Sequence, residues 1–510
     1  MDHYPLVIGG KEADAASGRR FETVDPATGQ PLASVGRADA EDVDAAVGAA
    51  REALRATWRS TPPAERARRL RALSDLIGER SEELARLESL DSGKPLTQAR
   101  TDVAVAGRYF EFYAGLADKL LGETIPISSD LLAYTVREPY GVTGHIVPWN
   151  YPIQIASRTL APALAVGNCC VLKPAEETPL TAVVLGRLAL EAGFPPGVLN
   201  VVPGFGEEAG AALAAHPDVD HVAFTGSPEV GRLVMRSAAE HITPVSLELG
   251  GKSPHLVLAD ADIDAAVPFI VRALVQNAGQ TCSAGSRVIV DRRIEADLVD
   301  ALVDAIGRVS IGRGIDDPDL GPLISDQQLQ RVLGYIERGR KDGGTVVVGG
   351  QRADRDDLAA GCFVPPTVFT DVRPDQAIAQ DEIFGPVLSV LRFADVEEAV
   401  DVANATRFGL VAAVWTQDID RALWLAGRLD SGQVFINTYG AGGGVELPFG
   451  GWKESGFGRE KGVQAVHEYS QLKTVAVRIR APHAAPESTN PAAESADSGE
   501  SAESEVERSA

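Results

Sequence analysis

The amino-acid sequence predicts an α/β fold built on parallel sheets. Short β-branched runs alternate with stretches of helical spacing, which is the pattern of parallel strands joined by crossover helices. At 510 residues the chain is too long for one hydrophobic core, and its 45% of hydrophobic residues is enough for globular interiors. A glycine pair at 250–251 separates two runs of this kind. The chain is therefore predicted to contain two α/β domains with a boundary near residue 252.

The elements of both runs are predicted from spacing and capping residues. Residues 39–55 are rich in alanine with acids in the first turn, which predicts a capped helix, and alternating charges and leucines predict a second helix over 64–88. The strands of the first run are predicted at 142–147, 169–173, 198–202, 221–224 and 243–247. Its helices are predicted near 153–166, 180–193, 206–215 and 228–239. In the second run, helices are predicted at 262–276 and 296–307, with strands at 287–290 and 345–348.

Three segments fall outside these runs. Segment 125–143 predicts a hairpin that interrupts the first domain, and the apolar stretch 472–479 predicts a late strand. Because an unpaired edge strand of this kind often pairs across subunits, we expect a homodimer or homotetramer. Residues 481–510 contain seven acidic residues, one basic residue and no aromatic residue, so this acidic tail is expected to be disordered.

Charge and cysteine content exclude several classes of protein. A formal net charge of −24 at pH 7 argues against nucleic acid or an anionic membrane surface as a partner. The sequence contains no apolar run of membrane-spanning length and does not open with a charged-then-apolar signal. Four cysteines are too few for a disulfide framework in so long a chain. We expect a cytoplasmic protein without a metal site.

Cys282 lies among small and hydroxyl residues in the run GQTCSAGSR (279–287). Free cysteines usually pack as small hydrophobes, but this one has no apolar neighbours in sequence. Glu248 lies in LELGGK (247–252) and Asn150 in PWNYP (148–152). A nucleophile, a base and an amide donor are the parts that acyl chemistry through a thiol requires. Taken alone, Glu248 could equally be a helix-cap or salt-bridge carboxylate.

Two further segments have the character of a phosphate and ribose site. The run FTGSPEVG (224–231) follows a predicted strand and opens a helix, where backbone N–H groups can meet a pyrophosphate. It lacks the full glycine fingerprint of dinucleotide-binding turns, so an ordinary strand-to-helix turn remains the alternative. Lys173 and Glu176 lie just past a strand's carboxyl end, where α/β sheets bind ligands. An acid there can accept from ribose hydroxyls, although a solvated charge pair is the commoner arrangement.

Two turns with aromatic residues, EIFGPV (382–387) and PFGGWKESG (448–456), complete a series of seven segments with PWNYP, KPAE, FTGS, LELGGK and GQTCSAGSR. Singly, such turns are usually loops. Their common order and spacing resemble the aldehyde dehydrogenase superfamily over about residues 20–480. The resemblance implies a Rossmann-like NAD-binding domain at 1–124 and 144–252, a catalytic domain at 253–455, and a small β-hairpin oligomerisation element at 125–143 and 456–480.

The resemblance also implies roles for particular residues. Cys282 would attack an aldehyde carbonyl, and the Asn150 amide with the Cys282 backbone N–H would hold the oxyanion. After hydride passes to nicotinamide, water activated by Glu248 would hydrolyse the thioester to a carboxylic acid. The residues that match the family's cofactor contacts are Trp149, Lys173, Glu176, Gly226, Ser227, Glu382 and Phe384. The Glu176 carboxylate favours NAD because it would repel the 2′-phosphate of NADP, which is the second candidate cofactor.

Arg158, Tyr151 and Thr281 are the residues expected to contact the substrate. Arg158 lies eight residues after Asn150, on the helix that lines the substrate tunnel in the family, and semialdehyde-oxidising relatives carry arginine there. A guanidinium can bind a carboxylate as a fork, which predicts a carboxylated semialdehyde as substrate. The second arginine of those relatives is Gln276 here. A structural arginine paired with an acid on a neighbouring helix, and an uncharged aliphatic or aromatic aldehyde as substrate, remain the alternatives.

Other functions are compatible with single features of the sequence. In a coenzyme A-acylating relative a thiol would replace water, and Glu248 argues against it. A cofactor-independent cysteine esterase would need a histidine near Cys282, which His145 or His255 could supply in space. A catalytically inactive scaffold is disfavoured because Cys282, Glu248 and Asn150 are all present.

Overall fold

Two mainly parallel sheets organise the chain. The computed structural model describes residues 1–440 and 444–480, so the predicted acidic tail 481–510 lies outside the described residues. The fold is α/β, which confirms the predicted class. No helix in the described part of the chain is long and apolar enough to cross a membrane.

The first sheet has five parallel central strands flanked by antiparallel edges. Its central strands are buried along their whole length or nearly so, which explains their continuous apolar and β-branched sequences. In spatial order the strands are Gly456–Phe457, Val245–Glu248, His221–Thr225, Val142–Ile146, Cys169–Lys173, Leu199–Val201, Leu6–Ile8 and Lys11–Ala13.

The order of the parallel strands reverses at Val142–Ile146. From this strand the chain runs outward through Cys169–Lys173 to Leu199–Val201, and then returns to the other side with His221–Thr225 and Val245–Glu248. The carboxyl ends of Val142–Ile146 and His221–Thr225 therefore border a crevice at a topological switch point. Ligands of α/β sheets bind at such points.

The second sheet is parallel except at one edge, where the first two strands pair antiparallel. In spatial order its strands are Thr345–Val348, Thr367–Thr370, Val387–Phe393, Arg287–Asp291, Pro254–Val257, Val411–Trp415 and Gln433–Ile436. The chain passes from the first sheet to the second over residues 249–253.

The predicted helices are present near their predicted positions, although the one near 206–215 is α-helical only at Ala211–Ala214 and the one over 64–88 is divided. Up to residue 250 they are Ala40–Ala56, Pro63–Glu79, Ser81–Ser92, Leu96–Ala114, Pro152–Val166, Leu180–Glu191, Ala211–Ala214 and Pro228–Ala239. Beyond it they are Ile263–Val275, Glu295–Ile306, Asp326–Lys341, Ala377–Gln380, Val396–Asn404, Ile419–Ala426 and Gln464–Glu468. The single helix predicted over 64–88 is two helices, because the backbone leaves helical geometry at Arg80 (φ −105°, ψ 21°). Helix Leu96–Ala114 and the five helices from Asp326–Lys341 onward named above were not individually predicted.

Smaller sheets complete the fold. Strands Asp2–Tyr4, Gln30–Gly36 and Arg20–Asp25 form one of them, and Phe408–Gly409 pairs with Trp452–Lys453 in another. Most of the chain, Met1–Leu121 with Arg137–Leu472, is one compact unit that contains both large sheets.

Among the described residues, a second compact unit comprises Gly122–Val136 and residues 473–480. The associated sheet has the strand order Ser470–Arg478, Leu131–Pro139, Thr124–Ser128. Val142 and residues 456–457, which belong to the predicted segments 125–143 and 456–480, pair with strands of the first sheet.

Candidate active site

Cys282 lies in a turn that faces a cavity of about 980 Å³. Its side chain is half-buried. Hydrogen bonds hold the residues on both sides of it: the Tyr151 and Thr281 hydroxyl oxygens lie 2.8 Å apart, and the Tyr439 hydroxyl donates to the Ser283 carbonyl at 2.6 Å. Tyr151 and Thr281, two of the three predicted substrate contacts, therefore also line this cavity beside Cys282.

The backbone just before Cys282 is left-handed over three successive residues. The φ angles are 48° at Asn277, 53° at Ala278 and 72° at Gly279. A non-glycine residue in this region costs about 1–3 kcal/mol, and such strain persists only where the surroundings hold it. At Gly279 a Cβ would lie 2.3 Å from the Gly385 carbonyl oxygen, so only glycine fits there. The backbone that leads into Cys282 is therefore held in one conformation by its surroundings.

Amide side chains hold this turn in place. The Asn277 N–H donates to Gln98 Oε1 at 2.9 Å, and its Nδ2 donates to the Asn150 carbonyl at 2.8 Å. Gln280 Nε2 donates to the Asn277 carbonyl at 3.0 Å, while Gln280 Oε1 accepts from the Ile324 N–H at 2.9 Å. These contacts connect the turn to distant parts of the chain, and their loss would leave a strained backbone free to relax.

The Asn150 side chain reaches the same turn. Its Nδ2 donates to the Gln280 carbonyl at 2.9 Å, two residues before Cys282. An amide nitrogen carries two hydrogens, so one N–H remains available to another acceptor. The predicted amide donor therefore lies next to the predicted nucleophile, although the two residues are far apart in sequence.

Glu248 is the last residue of strand Val245–Glu248 and is buried. Among the described residues, neither of its carboxylate oxygens has a hydrogen-bond partner. Burial raises the pKa of Glu248 well above its usual value, the charge of Glu460 raises it further, and the charge of Arg158 lowers it. Burial therefore disfavours the carboxylate form of Glu248, which is the form that can act as a base.

The glycine pair after Glu248 brings three predicted site residues together. A Cβ on Gly250 would lie 2.3 Å from Glu382 Oε2, and one on Gly251 would lie 2.4 Å from the Cys282 carbonyl oxygen. The Gly251 N–H donates to Glu382 Oε1 at 3.0 Å. Burial raises the pKa of Glu382 to about 7. Only residues without a side chain allow this close approach.

The electrostatics of Cys282 favour the thiol in the ligand-free protein. Burial raises its pKa to about 12, Arg158 opposes this shift, and the negative charges of Glu382 and Glu248 add to it. The thiolate is the reactive form of cysteine. The Arg158 charge therefore favours the ionised form both of Cys282 and of Glu248.

The predicted phosphate segment lies at the topological switch point. Trp149 follows strand Val142–Ile146, and Gly226 and Ser227 follow the neighbouring strand. Ser227 caps the helix that begins at Pro228, and its Oγ accepts from the Val230 N–H at 3.2 Å. The Ser227 hydroxyl hydrogen is still able to donate, and the start of a helix favours an anion.

Lys173 and Glu176 lie at and just past the carboxyl end of the strand beside the switch point, and Phe384 contacts Trp149. Lys173 Nζ donates to Glu176 Oε2 at 2.8 Å, an ion pair at the carboxyl end of the strand beside the switch point. The Phe384 ring meets the Trp149 ring edge-on, with centroids 5.3 Å apart. Phe384 has a left-handed backbone (φ 61°), and its carbonyl accepts from Gln328 Nε2 at 2.6 Å.

Comparison with known proteins identifies the family. The model of the aldehyde dehydrogenase family matches residues 13–475. The chain belongs to this family. Hydroxyisobutyraldehyde dehydrogenase from Mycolicibacterium austroafricanum is 46% identical over 93% of this chain and 94% of that protein. Human mitochondrial aldehyde dehydrogenase is 45% identical over 93% of this chain and 92% of that protein. The solved NAD+ complex of aldehyde dehydrogenase from Bacillus cereus superimposes with a TM-score of 0.92 at 48% identity. The match covers 94% of this chain and 97% of that one.

Arg158 of this aldehyde dehydrogenase family member lines the cavity but is already paired. Its guanidinium forms a buried ion pair with Glu460 and lies 5.2 Å from the centroid of the Phe449 ring. An ion pair of this kind is what the structural alternative predicts, although Glu460 lies in the loop before helix Gln464–Glu468 rather than on a helix. The Arg158 guanidinium is therefore already bound to a carboxylate of the protein itself.

The two histidines considered for a cysteine esterase have other partners. His145 Nδ1 lies 2.8 Å from the hydroxyl of Thr159, and His255 Nδ1 accepts from Trp415 Nε1 at 3.2 Å. Burial lowers the pKa of both histidines to about 3. Within residues 1–440 and 444–480, no histidine hydrogen-bonds to Cys282. A Cys–His pair is not formed.

A buried charge cluster behind Asn150 is not marked by any local sequence pattern. Lys94 Nζ pairs with Asp102, lies 3.7 Å from Glu88 Oε1 and donates to the Asn150 carbonyl at 3.0 Å. The ammonium also lies 4.3 Å from the centroid of the Tyr151 ring. Burial raises the pKa of Glu88 to about 7, and the charge of Lys94 opposes this shift. Lys94 is a positioning residue for the Asn150 backbone.

Proposed function

We propose that this protein oxidises an aldehyde to the carboxylic acid with NAD, through a covalent intermediate on Cys282. The observation that carries the proposal is that two distant segments contact the turn that holds Cys282. The Asn150 amide donates to the Gln280 backbone carbonyl, and Gly251 packs against the Cys282 backbone carbonyl. This arrangement puts the segment that ends in Glu248 against the nucleophile. Membership of the aldehyde dehydrogenase family supports the same reaction.

The first step is attack by the Cys282 thiolate on the aldehyde carbon. The new S–C bond shifts the carbonyl electrons onto oxygen, which is stabilised by the free N–H of Asn150 and by the Cys282 backbone N–H. One such preorganised donor is worth about 3–4 kcal/mol. Arg158 assists by favouring the thiolate. The tetrahedral adduct is a thiohemiacetal.

NAD would supply the acceptor for the hydride, a hydrogen with two electrons, whose loss turns the oxyanion adduct into a thioester. The residues proposed to hold it are those at the switch point and the crevice, Trp149, Lys173, Glu176, Gly226, Ser227, Glu382 and Phe384. A capped helix start beside a small-residue turn fits a pyrophosphate. The NAD+ complex of the Bacillus cereus relative supports NAD as the cofactor. NADP remains the second candidate.

Glu248 acts in the second step. As a carboxylate it takes a proton from water, whose oxygen attacks the thioester carbon and releases the acid and the Cys282 thiolate. Burial disfavours the carboxylate form that this step needs, and the charge of Arg158 favours it.

The decisive test is NADH absorbance on mixing the protein with NAD and a panel of aldehydes, without coenzyme A. We expect steady NADH formation that Cys282→Ala abolishes. Glu248→Gln is expected to give a burst of NADH stoichiometric with protein and then slow turnover. Steady turnover that is unaffected by Glu248→Gln would exclude Glu248 as the base. Hydrolysis of an ester without NADH formation from any aldehyde would favour the esterase.

We also propose that the protein assembles as a homodimer or homotetramer in the cytoplasm. Strand Ser470–Arg478 and the hairpin carry exposed apolar side chains, among them Ile127, Leu132, Leu472 and Val477. Contact with another subunit would remove this apolar surface from water. Light scattering and cell fractionation test the two parts of this proposal.

A further inference from the structure

Two cations share one aromatic ring in the cavity wall. The Arg158 guanidinium lies 5.2 Å and the Lys461 ammonium 5.6 Å from the centroid of the Phe449 ring. All three residues line the cavity that Cys282 faces. The cavity wall therefore carries two cationic side chains at one ring.

One of these two cations is neutralised and the other is not. Glu460 forms the ion pair with Arg158. Glu446, the other carboxylate whose field favours the Lys461 charge, is bound by Arg108 at 2.7 Å. In residues 1–440 and 444–480, Lys461 has neither an ion pair nor a hydrogen bond. The group as a whole carries one excess positive charge, and it resides on Lys461.

Lys461 is half-buried and has a left-handed backbone, with φ 66°. Non-glycine residues in that conformation cluster at functional sites. Burial lowers the Lys461 pKa to about 8, and the charge of Arg158 lowers it as well. The ammonium is therefore still protonated at neutral pH, but it is poorly solvated and gains from a negative partner.

The remaining charged side chains of the cavity wall are either paired with an opposite charge or exposed to solvent. Asp102 is paired with Lys94, and Arg158 with Glu460. The others, Arg272, Arg308, Asp317 and Asp319, are exposed, so water and salt screen their charges. Lys461 is the partly buried cation of this wall that has no ion-pair or hydrogen-bond partner among the described residues.

We propose that the cavity accepts aldehydes that carry a carboxylate, and that Lys461 binds this carboxylate while Arg158 remains paired with Glu460. The inference rests on the proposed aldehyde oxidation and names the substrate class for it. The sequence analysis expected Arg158 to bind the substrate carboxylate, and this proposal assigns that role to Lys461 instead. The Phe449 ring, against which both cations lie, would pack on the substrate's methylene groups.

The test compares glutarate semialdehyde with pentanal, which has the same number of carbons and no charge. Lys461→Met keeps the length of the side chain and removes the charge. We expect it to raise KM for glutarate semialdehyde roughly ten- to a hundred-fold more than KM for pentanal, with kcat changing much less. Lys461→Arg should restore most of the difference.

A matched control removes another cation from the same cavity wall. Arg272→Met loses the same charge at an exposed position, so it is expected to leave the ratio of the two KM values as in the unmodified protein. Equal changes in KM for both substrates in Lys461→Met, or an equal loss of the ratio in Arg272→Met, would overturn the proposal. So would a wild-type KM for glutarate semialdehyde no lower than that for pentanal.

A binding measurement separates this inference from the proposed function. Calorimetric titration of the full chain with glutarate needs no turnover, and we expect binding that Lys461→Met weakens and Lys461→Arg retains. Lys461-dependent binding without NADH formation from any aldehyde would refute the oxidation and leave the anion site standing. NADH formation from pentanal without Lys461-dependent binding of glutarate would refute the anion site alone. Thermal melts of the variants confirm that each one is folded.

Discussion

The charge of Arg158 acts on three other ionisable groups of the site. Arg158 pairs with Glu460, and its charge also lowers the pKa of Glu248 and of Cys282. The sequence predicted Cys282, Glu248 and Asn150 as candidates because each lies in a distinctive local run. It could not predict Glu460 as the partner of Arg158, because the two residues are about three hundred positions apart and meet only through the fold.

Arg158→Gln is predicted to shift the pH dependence of turnover to higher pH. Removing the positive charge raises the pKa of both Cys282 and Glu248, and both groups must be deprotonated to react. The rate of NADH formation measured across a pH series checks this. Arg158→Lys keeps the charge and should keep the profile closer to that of the unmodified protein. An unshifted profile in Arg158→Gln would contradict the electrostatic role.

Glu248→Gln is predicted to stabilise the protein increasingly as the pH rises. The folded state holds the Glu248 proton above the pH at which the unfolded chain loses it, so the folded state binds more protons and stability falls as the pH rises. Glutamine has no such proton. The gain in Tm over the unmodified protein should therefore be larger at about pH 8 than at about pH 5. A gain that does not depend on pH would argue against the raised pKa.

Alkylation of Cys282 by iodoacetamide is predicted to be slow at neutral pH in the absence of ligands. Because the pKa of its thiol is raised to about 12, the thiolate fraction and the rate should grow about tenfold for each pH unit. Mass spectrometry of the modified peptide measures the rate at Cys282, with half-buried Cys362 as an internal reference. A rate that levels off near neutral pH would contradict the raised pKa.

At the scale of elements, the local residue pattern predicted the positions of buried strands but not where a helix is interrupted or where the backbone turns. Strand Cys169–Lys173 was predicted at its observed bounds because a buried parallel strand is apolar throughout. The helix predicted over 64–88 is interrupted at Arg80, and the periodicity of charges and leucines continues across this break. The left-handed turn at 277–279 has no helix or strand periodicity, so no local signal predicts that it projects Cys282.

Gly279→Ala is predicted to impair both stability and turnover. The residue has φ 72°, and an added Cβ would lie 2.3 Å from the Gly385 carbonyl oxygen, so the turn before Cys282 must move. We expect a loss of about 1–3 kcal/mol in stability and a lower kcat. Gly334→Ala is the control, because Gly334 lies in helix Asp326–Lys341 with open space around its Cα, and this change should stabilise slightly. Normal kcat in Gly279→Ala would show that the turn is not needed to present Cys282.

At the scale of the whole molecule, the two large sheets carry different parts of the site. Glu248 ends a strand of the first sheet, and Cys282 precedes strand Arg287–Asp291 of the second. The βαβ rhythm predicted both sheets. It did not reveal that the strand order reverses beside Val142–Ile146, because strand order depends on pairings between residues distant in sequence.

Val477→Asp is predicted to reduce the size of the assembly in solution. Val477 is exposed on strand Ser470–Arg478, and a charge there would have to be desolvated in a subunit contact. Light scattering at several concentrations measures the mass. Val347→Asp is the control, because Val347 is exposed on strand Thr345–Val348 and has no proposed role in assembly. An unchanged mass for Val477→Asp would contradict assembly through this strand.

The sequence by itself determined the α/β class and the family, because strand and helix periodicity and short motifs are local properties of the chain. It also pointed to Cys282, Glu248 and Asn150 by their immediate neighbours. Only the tertiary structure decided which charges meet: Arg158 with Glu460, Lys94 with Asp102, and Lys461 with no partner among the described residues. The physical reason is that burial and pairing of a charge depend on every segment around it, and these segments come together only when the chain folds.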